Sequence, residues 1–299
     1  MSLTEQIAQS FQLSVTYVRG VAGTASYRYK QFSIKKADGK SDRKIEQPSK
    51  ELKLLQRWLV RRIFDSLPTH PCAHAYVKGR SIWTNASVHR GCRFISRLDL
   101  ENFFPSLTST DVELLLSHNR KLVDGSVLSD EDIRLVSALT CRFGKLTIGA
   151  PSSPTISNKL LYELDTRLTK IAEDSKVKYT RYADDLYFSS SLPGVLFEVC
   201  KQVTNVFMIT SNPRLTINEK KTYHASGKKR MAVTGLRITP EGNVSVGRDL
   251  KRRIRVFAYK ASKKKIGEEE LSWLCGMLAY VSSIEPRFVE QIKQKYELS

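Results

Sequence analysis

Three aspartates in this 299-residue chain stand where carboxylates are expensive to keep. Asp99 lies in the run Arg97-Leu-Asp-Leu-Glu-Asn-Phe-Phe-Pro-Ser-Leu107, and Asp184 and Asp185 are the centre of Arg181-Tyr-Ala-Asp-Asp-Leu186. Both runs surround their acids with the aliphatic and aromatic residues of interior strands. Crowded carboxylates in such surroundings need a compensating cation. No His/Cys cluster accompanies them, and oxygen-only ligands favour a hard ion such as Mg²⁺ over Zn²⁺. Two Mg²⁺ ions bridged by carboxylates serve in-line phosphoryl transfer, one at the attacking hydroxyl and one at the leaving pyrophosphate. Each acid alone reads as a solvated turn or a helix cap, because Asp favours both. Their combination in apolar strands of a strongly basic chain favours the metal reading.

That basicity is the plainest compositional fact. Forty-nine Lys and Arg face 30 Asp and Glu, a formal net charge of +19. Such an excess calls for a polyanionic partner, with nucleic acid the first candidate. A membrane is disfavoured: no run of 18 apolar residues occurs, and residues 1–20 lack the basic-then-apolar order of a signal peptide. Five scattered cysteines without a CxxC pair argue against a disulfide scaffold or zinc finger and suit a reducing cytoplasm.

The elements that must position the acids follow from pattern. A helix is expected over residues 4–12, a turn over 20–23, and a basic hairpin over 27–48 with its polar turn at 36–39. Leu52, Leu55, Leu59, Ile63 and Leu67 mark a helix over 49–67. Residues 92–99 read as a strand, and residues 110–113 as a capping box. After the Gly/Pro/Ser turn at 149–154, Ile156, Leu160, Leu164, Leu168 and Ile171 form one stripe of a long helix. Residues 177–182 and 186–189 read as a hairpin around the acidic pair. A helix over 195–209 and short strands at 215–217 and 232–238 follow. A basic, helix-rich segment then ends in a helix over 268–281. The order is α+β, with antiparallel strands and a domain boundary near residue 240.

These motifs resemble those of reverse transcriptases. Tyr182-Ala-Asp-Asp185 is similar to the family's catalytic hairpin, Asp99 to Phe104 to its first catalytic motif, and Gly149-Ala-Pro-Ser-Ser-Pro154 to the turn and helix beneath template and nucleotide. Asn85-Ala-Ser-Val-His89 and Val233-Thr-Gly235 narrow the resemblance to bacterial retron enzymes. It covers roughly residues 25–240, and the basic C-terminal segment resembles the thumb. The resemblance implies a right-hand polymerase with fingers and an antiparallel palm in residues 1–240 and a small helical thumb in 241–299. It implies two Mg²⁺ ions on Asp99, Asp184 and Asp185, with the Leu100 carbonyl in reach. Lys36 and Arg43 would hold the triphosphate, as a point charge and a fork do. Gly149 and Ala150 would support the nucleotide, and Phe104 would exclude a 2′-hydroxyl. Lys221, with Lys220 its rival, would protonate pyrophosphate. Asn85, His89, Val233, Thr234 and Gly235 would bind RNA, although His89 equally suits a buried hydrogen bond. One departure stands out: Ile148 replaces the Gln that many relatives carry before the turn.

Residues 248–265 hold nine Lys or Arg against one acid, among them Lys251, Arg252, Arg253 and Arg255. Such a stripe suits an RNA duplex backbone. The resemblance implies an RNA-directed DNA polymerase that uses deoxynucleoside triphosphates. It would copy part of a cognate structured non-coding RNA, prime from a guanosine 2′-hydroxyl and leave a branched RNA–DNA product, with an effector protein and antiphage defence as associates. A group II intron-type enzyme fits less well because the chain lacks length for maturase and endonuclease extensions. A non-catalytic RNA scaffold restraining an effector is disfavoured by the intact acids.

Overall fold

Two capped helices start the chain. The computed structural model describes residues 1–35, 39, 42–226 and 231–298. Ser2 and Ser14 accept the N–H groups of Glu5 and Tyr17 and open α1 (Leu3–Phe11) and α2 (Val15–Gly23). The turn expected at 20–23 is instead the end of α2. Strands β1 (Tyr29–Lys35) and β2 (Asp42–Pro48) form the basic hairpin, pairing Tyr29 with Pro48 and Lys35 with Asp42. Lys36 lies outside the described residues.

Helix α3 (Lys50–Arg62) buries Leu52, Leu55 and Leu59, and then gives way to a 3-10 turn, so Leu67 falls beyond it. Helix α4 (Ile82–Val88) precedes strand β3 (Phe94–Asp99). The single turn α5 (Phe103–Ser106) follows, then α6 (Ser109–His118) and α7 (Asp130–Thr140). The cap of α6 is Thr108, paired with Asp111, two residues before the expected box; the Thr108 hydroxyl and the Asp111 carboxylate satisfy each other's backbone. Helices α8 (Ser153–Leu160) and α9 (Tyr162–Asp174) divide the expected long helix at Leu161, while its apolar stripe continues across the break.

Strands β4 (Lys178–Tyr182) and β5 (Asp185–Ser190) form the acidic hairpin, and α10 (Val195–Ile209) packs behind it. With β6 (Tyr223–Ser226) they build an antiparallel sheet of order β4-β5-β3-β6. The stretch 215–217 makes only a bridge between Leu100 and Ile217. A small sheet of β7 (Ala232–Val233), β8 (Leu236–Ile238) and β9 (Val244–Ser245) follows. Three helices, α11 (Arg248–Ser262), α12 (Glu268–Ser282) and α13 (Pro286–Tyr296), share a core of their own that includes Ile254, Leu274, Val281 and Phe288.

The period-2 alternation of the central strands assigns the two faces of the four-stranded sheet. Leu98, Leu186 and Phe188 face the main helical core, while Ile95 and Tyr187 face a second core under α4 and the β7–β8 hairpin. Asp99 and Asp185 continue the Ile95–Arg97 and Tyr187 rows, so they emerge together at one sheet end.

Candidate active site

Strand register brings the acids together. Asp99 and Asp185 are directly paired across β3 and β5. Asp184 sits with Ala183 in the two-residue loop joining β4 to β5. Ala183 has φ of 56°, a left-handed conformation that L-residues adopt at a cost and that such loops demand at their first position. The Asp184 carbonyl accepts the Leu100 N–H at 2.9 Å, locking the loop to the strand that carries Asp99.

Like charges this close need offsetting. Arg97, two residues before Asp99 on the same face, donates to Asp185 at 2.8 Å and lies 3.8 Å from Asp99. Lys221, in the 3-10 turn Glu219–Lys221, donates to Asp99 at 3.0 Å. Among the described residues no side-chain cation pairs with Asp184. Burial raises its carboxyl pKa, and Asp99 adds to the rise. Burial raises that of Asp185 too, against the pull of Arg97. Asp184, beside Asp99, thus offers a hard oxygen donor with no ion-paired cation among the described residues, which fits a divalent ion.

A cavity of about 710 Å³ opens beside these acids, lined by Asp184, Lys221, Arg43, Tyr76, Phe104 and Ile148 among others. That volume accommodates a nucleotide. Phe104 packs on buried Phe103 at 5.1 Å and faces Tyr76 at 6.4 Å. Gly149 is a junction, not a wall. With φ of 117°, it lets the chain run against β2, where a Cβ would meet the Glu46 carbonyl at 3.0 Å. Glu46 N–H donates to the Ile148 carbonyl at 2.8 Å, and Ala150 is buried. Gly149 and Ala150 do not line the cavity, whose wall here includes Ile148.

Over residues 34–238 the chain matches the family described as reverse transcriptase (RNA-dependent DNA polymerase). It is 33% identical to the retron Ec86 reverse transcriptase of Escherichia coli, over 99% of this chain and 91% of that protein. The chain belongs to the retron reverse transcriptases. It is also 33% identical to the retron Ec73 reverse transcriptase of Escherichia coli, over 89% and 86% of the two chains. The retron Mx162 reverse transcriptase of Myxococcus xanthus is 34% identical, over 94% of this chain and 64% of its own. In fold it is similar to telomerase from Candida albicans, with a TM-score of 0.51 at 13% identity over 90% of this chain and 55% of that one. The retron enzyme is accordingly an RNA-directed DNA polymerase, a nucleotidyltransferase with nucleic-acid partners, of a family dependent on divalent metal. No helix among its described residues is long and apolar enough to cross a membrane.

The retron-like motifs are interior in part, while Thr234 is half-buried and Gly235 exposed. Asn85, His89 and Val233 are fully buried, so the RNA contacts expected of them are not available at the surface. The 3.6-residue period turns Asn85, Ala86 and His89 toward the sheet, and the His89 ring nitrogens bond Ser189 and Thr180, each at 2.7 Å. Thr234 and Gly235, with φ of 48° and 82°, form the two-residue β7–β8 loop, whose paired positive angles mark a type I′ turn. The Thr234 N–H donates to the Tyr187 hydroxyl, and that hydroxyl donates to Asp185. This motif therefore orients a carboxylate of the acidic cluster. Pattern reading missed Tyr187, Arg97 and Tyr76; only the left-handed backbone of Tyr76, φ 61°, marks it, and that is invisible in sequence.

A different group, His70, Cys72 and Asp165, holds its donor atoms within 4.8 Å of one another. Those donors are already engaged. Asp165 accepts from Arg181 and Tyr179, and His70 Nδ1 accepts the Cys72 N–H. Burial pushes the thiol far up from its usual range. The trio is an internal brace of β4.

Phe104→Ala is expected to raise ribonucleotide use more than it lowers deoxynucleotide use, because a gate acts by exclusion. The ratio of kcat/KM for the two sugars measures it. An unchanged ratio in a folded variant reduces Phe104 to a packing residue.

Proposed function

We propose that this enzyme copies part of a cognate structured RNA into DNA at the Asp99–Asp184–Asp185 cluster. The observation that carries the reading is the direct pairing of Asp99 with Asp185, and Asp184 on the adjoining loop, beside a nucleotide-sized cavity. Asp99 and Asp184 would hold two Mg²⁺ ions, with Asp185 held back by Arg97 and acting mainly through its charge. When bound, these ions supply charge stabilisation to the attacking hydroxyl and the leaving pyrophosphate.

The chain's own residues divide the remaining work. Arg43, exposed on β2 and lining the cavity, meets the triphosphate, with Lys36 as its expected companion. Lys221, rather than Lys220, is the lysine that donates to Asp99, and its ammonium can hand a proton to pyrophosphate. Phe104 lies under the sugar. Ile148 offers no hydrogen bond, so selection at this wall is by shape. The fingers and palm comprise residues 1–240, and the helical thumb begins in the segment 241–299. By kinship with retron enzymes, priming uses an RNA 2′-hydroxyl, the product is branched multicopy DNA, and the ribonucleoprotein restrains an effector in antiphage defence within the cytoplasm.

The test is extension of a primer on RNA template with deoxynucleotides, with and without Mg²⁺, beside isolation of nucleic acid bound to the enzyme. Expected are Mg²⁺-dependent DNA synthesis and a bound product whose RNA–DNA link yields to a 2′,5′-debranching nuclease. Absence of synthesis on every RNA template would sink the proposal.

The thumb's basic helix divides the four expected RNA contacts. Lys251 is half-buried and donates to Glu285 at 2.5 Å. Arg253 stacks on Trp273 at 4.2 Å and Arg255 on Phe288 at 5.1 Å, while both remain exposed. Arg252 is exposed as well. Neutralising Arg252 and Arg255 should make the slope of log affinity against log salt shallower by about two units, near one per phosphate released. A salt titration of RNA binding checks this; a change well under one unit assigns the charges to solubility.

A further inference from the structure

We infer that Tyr27 and Phe143 form a stacking platform for unpaired template nucleotides at the rim of the active-site cavity, an inference that rests on the polymerase reading above. Two large aromatic side chains stand in solvent here: Tyr27 is 79% exposed and Phe143 58%. Their rings meet edge to face at 5.5 Å, so they form one apolar surface and not two isolated residues. No core explains them, and burying an aromatic is ordinarily favourable.

The surrounding structure holds them outward. Phe143 has φ of 46° and is followed by Gly144 with φ of 75°, a strained presentation for an aromatic residue. Its N–H donates to the Ser26 hydroxyl at 3.0 Å, and Arg142 Nε donates to the Ser26 carbonyl at 3.0 Å. The segment before β1 that carries Tyr27 and the loop that carries Phe143 are thus bolted together. Arg142 also pairs with Glu46 and lays its guanidinium over the rings of Phe143, at 5.0 Å, and Tyr29, at 5.5 Å. Arg142 is therefore committed to stiffening the platform.

Charge and position identify the ligand. Exposed Lys30 and Lys145 lie on the neighbouring strand and loop positions, with Lys44 shared with Glu46, and Arg142, Phe143 and Lys145 line the same cavity as Asp184. Aromatic faces among cations, continuous with a polymerase site, suit single-stranded nucleic acid, whose bases stack without regard to sequence while lysines follow its phosphates. Paired bases expose no face, so the platform reads only the unpaired strand ahead of the templating base. A protein ligand would call for a broader apolar patch than two rings.

The experiment measures the affinity of full-length enzyme, wild type and Tyr27→Ala/Phe143→Ala, for primer–templates with one-nucleotide and six-nucleotide 5′ RNA overhangs. Wild type is expected to bind the long overhang about tenfold more tightly, and the double variant to lose that advantage while keeping its affinity for the short overhang. Phe143→Leu, which keeps bulk without a π-face, should lose a comparable share through Phe143. Retention of the full overhang advantage in either variant overturns the inference. An equal loss on both substrates overturns it too, since the residues would then grip duplex. Wild-type enzyme that binds no primer–template refutes the polymerase reading instead, which separates the two failures.

Discussion

Asp184→Asn is expected to reduce nucleotide addition by at least about 10³-fold while leaving RNA affinity within about twofold of wild type. The amide keeps the shape and size of the carboxyl but removes its charge and one anionic donor. Each tenfold in rate corresponds to ~1.4 kcal/mol, so the loss asks for about 4 kcal/mol of transition-state stabilisation, in the range a metal site supplies. Folding should not suffer: Asp184 has no side-chain cation among the described residues, and its backbone carbonyl, which the substitution preserves, makes the bond to Leu100. Removing charge from a desolvated carboxyl should, if anything, relieve repulsion with Asp99. The measurements are single-turnover extension on a preformed primer–template and a thermal melt. Extension within tenfold of wild type removes Asp184 from the reaction. Asp185→Asn makes the contrast, since it breaks the bonds with Arg97 and Tyr187 and should cost stability as well as rate.

The acids were legible because three levels of pattern agree on them: β-rich alternation, apolar neighbours and a chain-wide positive charge. The alternation that predicts strands also predicts which side chains share a face, so the pairing of Asp99 with Asp185 needed only the hairpin register. Other features were hidden for definite reasons. The long amphipathic stripe from Ile156 to Leu168 keeps its period across Leu161, so hydrophobic spacing alone cannot reveal the break. Helix α13 was missed because its three buried residues, Phe288, Val289 and Ile292, sit in a sequence that reads as another basic tail.

The motif Asn85-Ala-Ser-Val-His89 shows what burial adds to a resemblance. The retron resemblance suggested RNA; the helical spacing of Asn85, Ala86 and His89 gives them one common face, and that face meets the sheet. His89 was open to both readings; burial decides for Ser189 and Thr180, and its pKa falls to about 3, chiefly by desolvation, so it stays neutral. Residue type names a chemistry, while the face it occupies determines whether solvent or a ligand can reach it.

Asp165→Asn should destabilise the enzyme by about 3–5 kcal/mol, the cost of leaving one member of a buried ion pair uncompensated. Asp165 and Arg181 are both fully buried. Arg181 Nη2 donates to Asp165 Oδ2 at 2.6 Å and its Nε to Oδ1 at 2.9 Å, a bidentate geometry that Asn cannot reproduce without turning an N–H toward the guanidinium. The Tyr179 hydroxyl donates to the same carboxylate, and Arg181 Nη1 also donates to Asn158 Oδ1 at 3.0 Å. Burial alone would depress the guanidinium pKa; Asp165 more than offsets it, so Arg181 remains charged and must stay paired. Domain stabilities of about 5–15 kcal/mol leave little margin for such a loss. The consequence reaches the active site, because Arg181 stands three residues before Asp184 on β4 and its backbone bonds Cys72 and His74 on the segment leading to Tyr76. Chemical denaturation of wild type, Asp165→Asn and the double variant Asp165→Leu/Arg181→Met resolves the mechanism. Removing both charges should recover most of the stability lost by the single change, since an apolar pair of similar size carries no stranded charge. If the single variant unfolds within about 0.5 kcal/mol of wild type, the pair does not brace the acidic hairpin. If the double variant is no more stable than the single one, packing around Asp165, and not its charge, is what holds β4 in register.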